Sequence, residues 1–274
     1  LAAHRAFNAS ATACRMYPTF RPDRALRIGN PNDWNVWVRR LEESSNREVA
    51  SLPDFLDALR QRHDFFHANG GRLSDHGLTR CHATPCSDRE AQIIFAKVRA
   101  GDVPSETEEE LFASFLMLFF GRLDAEKSWT KQLHLGAIRN VNSRRAHEAG
   151  LDTGYDSIGD WQQATALGAY LDLLEQERSL PKTIIYNVNP ADNYAFATAI
   201  GNFSGKTTIA ITDSAGVIQQ RLDVTFSGGA GNIDVTDSGG TSTVNFTPAN
   251  FLTQLNTALG ASGNASFSSG GVLS

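Results

Sequence analysis

His134 alternates with Leu133 and Leu135 in the stretch Gln132 to Ile138, which reads as a buried strand running straight into the polar pair Arg139-Asn140. A histidine so placed either touches a substrate or metal, or sits in the core bonded to its neighbours; the pattern leaves both open. Arg21 stands one residue past the apolar stretch Arg15 to Phe20, and its planar fork suits a carboxylate or phosphate as well as a structural salt bridge. Ser74-Asp75-His76-Gly77 joins an acid to an imidazole in what reads as a Gly-flanked turn. His63 and His67 lie four apart on a helical stretch, the spacing of some zinc pairs, but the same stretch carries an apolar stripe and no third ligand is identifiable. Cys81-His82 with Cys86 has a metal-like look without a second ligand pair nearby.

These residues need a scaffold, and the chain supplies one in pieces. Arg15 to Phe20 reads as a short strand closed by Pro22. From about residue 24 to 128 the pattern is helical. Asn32 is a candidate cap for a helix with Trp34, Trp37, Val38 and Leu41, and Ser51 for one with Phe55, Leu59 and Phe66. Ser87 with Glu90 and Ser105 with Glu108 form capping boxes ahead of helices expected to bury Ile93, Ile94, Phe95 and Val98, then Leu111, Phe112, Phe115, Leu116 and Phe119. After the His134 strand come a helix over about 161 to 177 and a strand, Lys182 to Val188, apolar enough to be covered on both faces. Strand, helix, strand makes a βαβ unit, and polar residues follow each strand, as on the active-site face of a (β/α) barrel.

A break falls near Phe203. All seven His, all three Cys and all four Trp precede it, whereas the tail is rich in Gly, Ser and Thr with Lys206 and Arg221 as its only cations. Such a shift marks two unrelated modules, 1–203 and 204–274. In the tail, 207–211 and 221–226 alternate as a hairpin turning at 213–216, with further strands near 233–235, 244–246 and 265–267. One helix interrupts them, with Thr247 as cap, Pro248 in first position and Gly260 as stop.

The bulk numbers narrow the function. A net charge of -5 gives no electrostatic footprint for nucleic acid, and no stretch reaches the roughly 18 apolar residues of a membrane span. Three cysteines do not make a disulfide framework and fit a reducing compartment.

Six motifs in order then carry a resemblance: Thr19-Phe20-Arg21-Pro22-Asp23, Ser74-Asp75-His76-Gly77-Leu78, Leu133 to Asn142, Asp152 to Asp160, Leu180 to Asn187 and Ile200 to Phe203. Over about residues 15 to 203 the chain closely resembles the uronate (glucuronate) isomerases of the amidohydrolase superfamily. The resemblance implies a cytoplasmic enzyme with a distorted (β/α)8 barrel carrying a helical insertion, acting on a small hexuronate and using zinc. The reaction it implies interconverts D-glucuronate with D-fructuronate, and D-galacturonate with D-tagaturonate, by enediol proton transfer. It gives His134 and Asp75 catalytic roles and makes Arg21, Arg139 and Asn140 substrate-binding. The family's His-x-His pair, its early His-Tyr element and its late Asp-Ser-Arg segment match nothing here, so no zinc ligand is assigned. With about three of eight barrel strands, the sheet is expected to stay open, prone to self-association through unpaired strands and inactive alone.

The tail, through Ile209 to Gly216, Asn250 to Gly260 and Ala265 to Phe267, resembles a domain of the flagellar hook-associated protein of the hook-filament junction. That resemblance implies an extracellular packing role among flagellar axial proteins, and for the whole chain the alternative of a non-catalytic structural protein with an enzyme-derived segment. The fold expected is thus α/β: a partial (β/α)8 barrel with a helical insertion, followed by a small, mainly antiparallel β module with one helix.

Overall fold

The structure, a computed structural model, describes residues 1–10, 13–150, 153–204, 206–212, 218–227, 230–247 and 249–260. The chain forms two compact units, Leu1–Pro190 and Ala191–Ser274.

In the first unit the elements run α1 (Ala2–Asn8), α2 (Pro31–Ser45), α3 (Leu52–Ala68), β1 (Leu73–Leu78), α4 (Asp88–Arg99), α5 (Glu106–Glu126), β2 (Thr130–Leu135), β3 (Ala137–Ile138), α6 (Ser143–Ala149), β4 (Ser157–Ile158), α7 (Gln163–Gln176) and β5 (Lys182–Asn187). Strands β1, β2 and β5 form a parallel sheet in that order. The expected first strand contracts to one parallel bridge, Phe20 to Ser74, because Pro18 and Pro22 on either side have no N–H to give a ladder.

Helix starts follow their caps. The side chain of Asn30, not Asn32, accepts from the Asp33 amide, and Pro31 occupies the first turn, where a missing N–H costs nothing. Both capping boxes read from the sequence are present, and Ser51 with Asp54 makes a third. The helices pack around an aromatic cluster of Trp34, Phe55, Phe95 and Phe112. Ile93, expected in this core, is 57% exposed, since the buried stripe of α4 runs through Ala91, Ile94, Phe95 and Val98. Helix α5 packs on α7 and on β2, and Gly121 permits the first approach: a Cβ there would lie 2.6 Å from a Leu174 methyl.

Three differences bear on the site. The helical block is not continuous, because Ser74-Asp75-His76-Gly77 is no turn but the body of β1, paired along its length with β2. The strand of His134 begins earlier than its apolar run and stops at Leu135, where Gly136 takes φ +97° and turns the chain into the small β3–β4 ribbon. Strand β5 is not covered on both faces: Ile184, Tyr186 and Val188 are about two-fifths exposed, and β5 ends the described sheet.

The second unit holds α8 (Asn193–Ser204), β6 (Lys206–Thr212), β7 (Ile218–Ser227), β8 (Ala230–Asp237), β9 (Gly240–Phe246) and α9 (Phe251–Leu259). The four strands form an antiparallel meander, and Leu222, Val224, Ile233, Val235 and Phe246 make its core with Leu255 and Ala258 of α9. Helix α9 starts later than Thr247, after Asn250, whose side chain accepts from the Thr247 amide instead of capping its own helix. The expected turn at 213–216 and the strand at 265–267 lie outside the described residues.

Candidate functional site at the strand ends

Alternation along two neighbouring strands divides polar residues between the faces of the sheet. On β1, Ser74 and His76 are buried on one face, while Asp75 and Gly77 lie on the other. On β2, Lys131, Leu133 and Leu135 share the covered face and His134 the open one. Register aligns Gly77 with His134 and His134 with Tyr186. Arg21, one residue past the Phe20 bridge, reaches the same row.

The open face therefore gathers three of the five residues singled out from the sequence. Arg21 Nη1 lies 3.3 Å from Asp75 Oδ2, and His134 Nε2 lies 3.0 Å from Asp75 Oδ1. The second approach has ion-pair distance but is off the line of a hydrogen bond, so the buried Oδ1 has no hydrogen-bond partner among the described residues. Tyr186 stacks on His134, with ring centroids 4.3 Å apart and planes within 7°. Gly77 makes room for the guanidinium, since a Cβ there would meet Arg21 Nη2 at 2.3 Å and Arg139 Nη2 at 3.6 Å. Arg139 thus also reaches this spot, but its Nη1 is held by Asp156. Asn140 enters only through its backbone: in a left-handed conformation, φ 53°, its amide donates to Asp156 Oδ1 at 3.0 Å. That amide and the Arg139 guanidinium hold the Asp156 carboxyl below its usual range. A cleft of about 760 Å³ opens beside Gly77 and Arg139, between the strand ends and the helical block.

Behind the sheet lies a polar network that sequence reading missed. Asp23 Oδ1 bonds His76 Nδ1 at 2.9 Å, and Asp23 Oδ2 accepts from the Gly77 amide at 2.9 Å and from Arg21 Nε at 3.2 Å. Burial would raise the Asp23 pKa, but the His76 ring, the Gly77 amide and Arg21 outweigh it and hold the carboxyl below its usual value. Lys131 Nζ, wholly buried, lies 3.0 Å from His76 Nε2, 3.3 Å from Ser74 Oγ and 2.7 Å from Asp124 Oδ2. Asp124 also accepts from Ser74 at 2.6 Å and meets His63 Nε2 at 3.1 Å. A signal for Lys131 was available, since it falls on the same face as Leu133 and Leu135 at period two.

The remaining titratable candidates are otherwise engaged. His67 Nδ1 accepts from Trp129 Nε1 at 2.9 Å, and His82 Nδ1 meets Glu110 at 2.7 Å. Burial pushes the Cys81 thiol up to about 12, and burial with the nearby Glu90 carboxylate pushes Cys86 up to about 11. No group of three His, Cys, Asp or Glu among the described residues could hold a metal ion. Asp75 and His134 offer two donors, and the Arg21 cation already faces the second carboxylate oxygen, so these residues do not fit a zinc set.

A parallel sheet with one polar open face and helices flanking it has the layout of part of an α/β barrel. The glucuronate isomerase family profile matches residues 1–215, and the chain belongs to that family. It is 55% identical over 208 residues to the uronate isomerase of Solibacter usitatus, covering 76% of this chain and 44% of that protein. It is 58% identical over 189 residues to that of Opitutus terrae, covering 69% and 40%. Among solved structures, the uronate isomerase of Thermotoga maritima superposes with a TM-score of 0.69 at 26% identity, over 73% of this chain and 44% of that one. The glucuronate isomerase of Caulobacter crescentus gives 0.67 at 25%, over 74% and 42%. The chain thus spans less than half the length of these relatives. The match ends before β7, so the flagellar resemblance of the tail rests on its own residues alone.

Proposed function

We propose that the first unit carries the sugar-acid side of a uronate isomerase site. The observation that carries this reading is the row Arg21, Asp75, His134, with the guanidinium 3.3 Å and the imidazole 3.0 Å from the one carboxylate between them, on the open face of the sheet in a chain 55% identical to a uronate isomerase. In an aldose–ketose exchange a base takes the C2 proton while the C1 carbonyl oxygen gains one, giving a C1–C2 enediol, and C1 then receives a proton as the C2 hydroxyl gives up its hydrogen and becomes the ketone. Asp75 and His134, 3.0 Å apart, suit the two ends of such a transfer. Arg21 and Arg139 flank Gly77 as a cationic seat for the carboxylate of D-glucuronate or D-galacturonate, with Asn140 shaping the adjoining turn. The donor set of these residues does not fit zinc, and turnover is expected to need groups that they do not supply.

NMR titration of the full chain with D-glucuronate, D-glucose and the Arg21→Ala variant tests the binding half. Glucuronate is expected to bind in preference to glucose, and Arg21→Ala to weaken it by about tenfold or more. Equal binding of glucose, or an indifferent Arg21→Ala, refutes the assignment. An isomerase assay with added zinc is expected to show no turnover; turnover at the level of a full-length relative refutes the need for further groups.

A further inference from the structure

We propose that Lys131 is a positioning residue for Arg21, acting from the covered face of the sheet through His76 and Asp23. The inference rests on the reading of Arg21 as the carboxylate-binding residue, but its geometry stands without it. An ammonium has donors only, so a Lys131 Nζ lying 3.0 Å from His76 Nε2 requires that nitrogen to be an acceptor. The ring proton then sits on Nδ1 and donates to Asp23 Oδ1 at 2.9 Å. Asp23 is left with Oδ2 for the Gly77 amide at 2.9 Å and Arg21 Nε at 3.2 Å, which sets the guanidinium above Gly77 and within 3.3 Å of Asp75. Each donor of Lys131 has a partner, His76, Ser74 or Asp124.

Charge and burial agree with this direction. Burial and the Lys131 ammonium push the His76 imidazole below its ordinary range, keeping it neutral, with one donor and one acceptor. Burial acts to raise the Asp124 pKa, yet Lys131, His63 and Ser74 hold it lowered, so the Asp124 carboxylate facing Lys131 stays ionised. A buried ion pair adds little net stability over an apolar pair of the same volume. Its orienting of His76 is what an apolar pair could not reproduce.

The test reads Arg21 Nε–H exchange in the ligand-free full chain by nitrogen-15 NMR, with the His76 tautomer recorded in the same protein. Three variants separate the links: Lys131→Met with Asp124→Asn, which removes the pair without stranding a charge; His76→Asn, whose amide ends near the Nδ1 position; and His76→Gln, whose amide ends near Nε2. Exchange at Arg21 is expected to quicken about tenfold in the double variant and in His76→Gln, and to stay near wild type in His76→Asn. Unchanged exchange in the double variant overturns the proposal. If that variant does not fold, an Nε2–H tautomer in the wild-type protein overturns it instead. Glucuronate affinity is expected to fall in the same order. If the exchange results hold while Arg21→Ala leaves glucuronate binding intact, the functional reading of Arg21 fails and the positioning role stands.

Discussion

Replacing Gly77 by alanine separates the position of Arg21 from the stability of the fold. The added Cβ would lie 2.3 Å from Arg21 Nη2, and ordinary contact begins near 3.4 Å, so the guanidinium must shift by about 1 Å. Arg21 is half exposed and its guanidinium is the free end of a flexible chain, so it can move into solvent without disturbing the backbone. The move stretches its 3.2 Å contact to Asp23 and its 3.3 Å contact to Asp75 beyond hydrogen-bonding range. Ion pairs at such exposure contribute about 1 kcal/mol at most. Alanine in place of glycine inside a strand returns roughly 0.5–1 kcal/mol of chain entropy, so net stability is expected to change little. Binding is different, because a displaced fork loses a paired hydrogen bond to the sugar carboxylate, worth about 1.5–3 kcal/mol or ten- to a hundredfold in affinity. Urea unfolding and an NMR titration with D-glucuronate measure the two effects on the same sample. The reasoning is refuted by a stability loss above about 2 kcal/mol, or by unchanged affinity in Gly77→Ala where Arg21→Ala abolishes it.

Gly121→Ala tests the approach of α5 to α7: helix propensity alone would favour alanine by about 1 kcal/mol, but the new methyl meets buried Leu174 at 2.6 Å, so a net loss of roughly 1–2 kcal/mol is expected in thermal unfolding. Glu110 is held at about 2, because burial, which would raise its pKa, is outweighed by the His82 ring and the Arg80 guanidinium. A depressed folded value gives stability that is full above the unfolded glutamate value near 4.5 and is lost as pH falls from there towards about 2. The contribution is at most about 3 kcal/mol, and Glu110→Gln is expected to flatten the urea midpoint against pH over that window. Alkylation at pH 8, read by mass spectrometry, is expected to label exposed Cys14 quickly and to spare Cys81, whose thiol burial pushes up to about 12.

Where local chemistry fixes an element, the sequence was readable. Ser87 with Glu90 and Ser105 with Glu108 start their helices because each pair satisfies amides that the helix itself cannot. The alternation of Thr207 to Ile211 against Arg221 to Phe226 needed no tertiary partner to suggest a hairpin, and β6 and β7 pair antiparallel there. Burial on one face alone was harder: Lys182 to Val188 is apolar enough for two covers, yet Ile184 and Tyr186 remain substantially exposed at the end of the described sheet. Asn32 lost its role because Pro31 starts the first turn two residues earlier, after Asn30, a choice that composition near a helix start does not resolve.

The site itself was least legible, for a physical reason. Strand detection relies on one polar and one apolar face, and β1 has neither pattern between Leu73 and Leu78. Its Asp75 and Gly77 belong to the open row with Arg21 and His134, while its Ser74 and His76 belong to the buried network with Lys131 and Asp124. Both faces are polar because both carry partners that become neighbours only when β2 pairs alongside. Ser74-Asp75-His76-Gly77 therefore reads as a turn in isolation and becomes a strand through contacts about fifty residues away in sequence, such as Ser74 to Asp124. Local propensity and fold disagree at this segment because it bonds on both sides of the sheet, and functional or strained sites are where such a disagreement is expected.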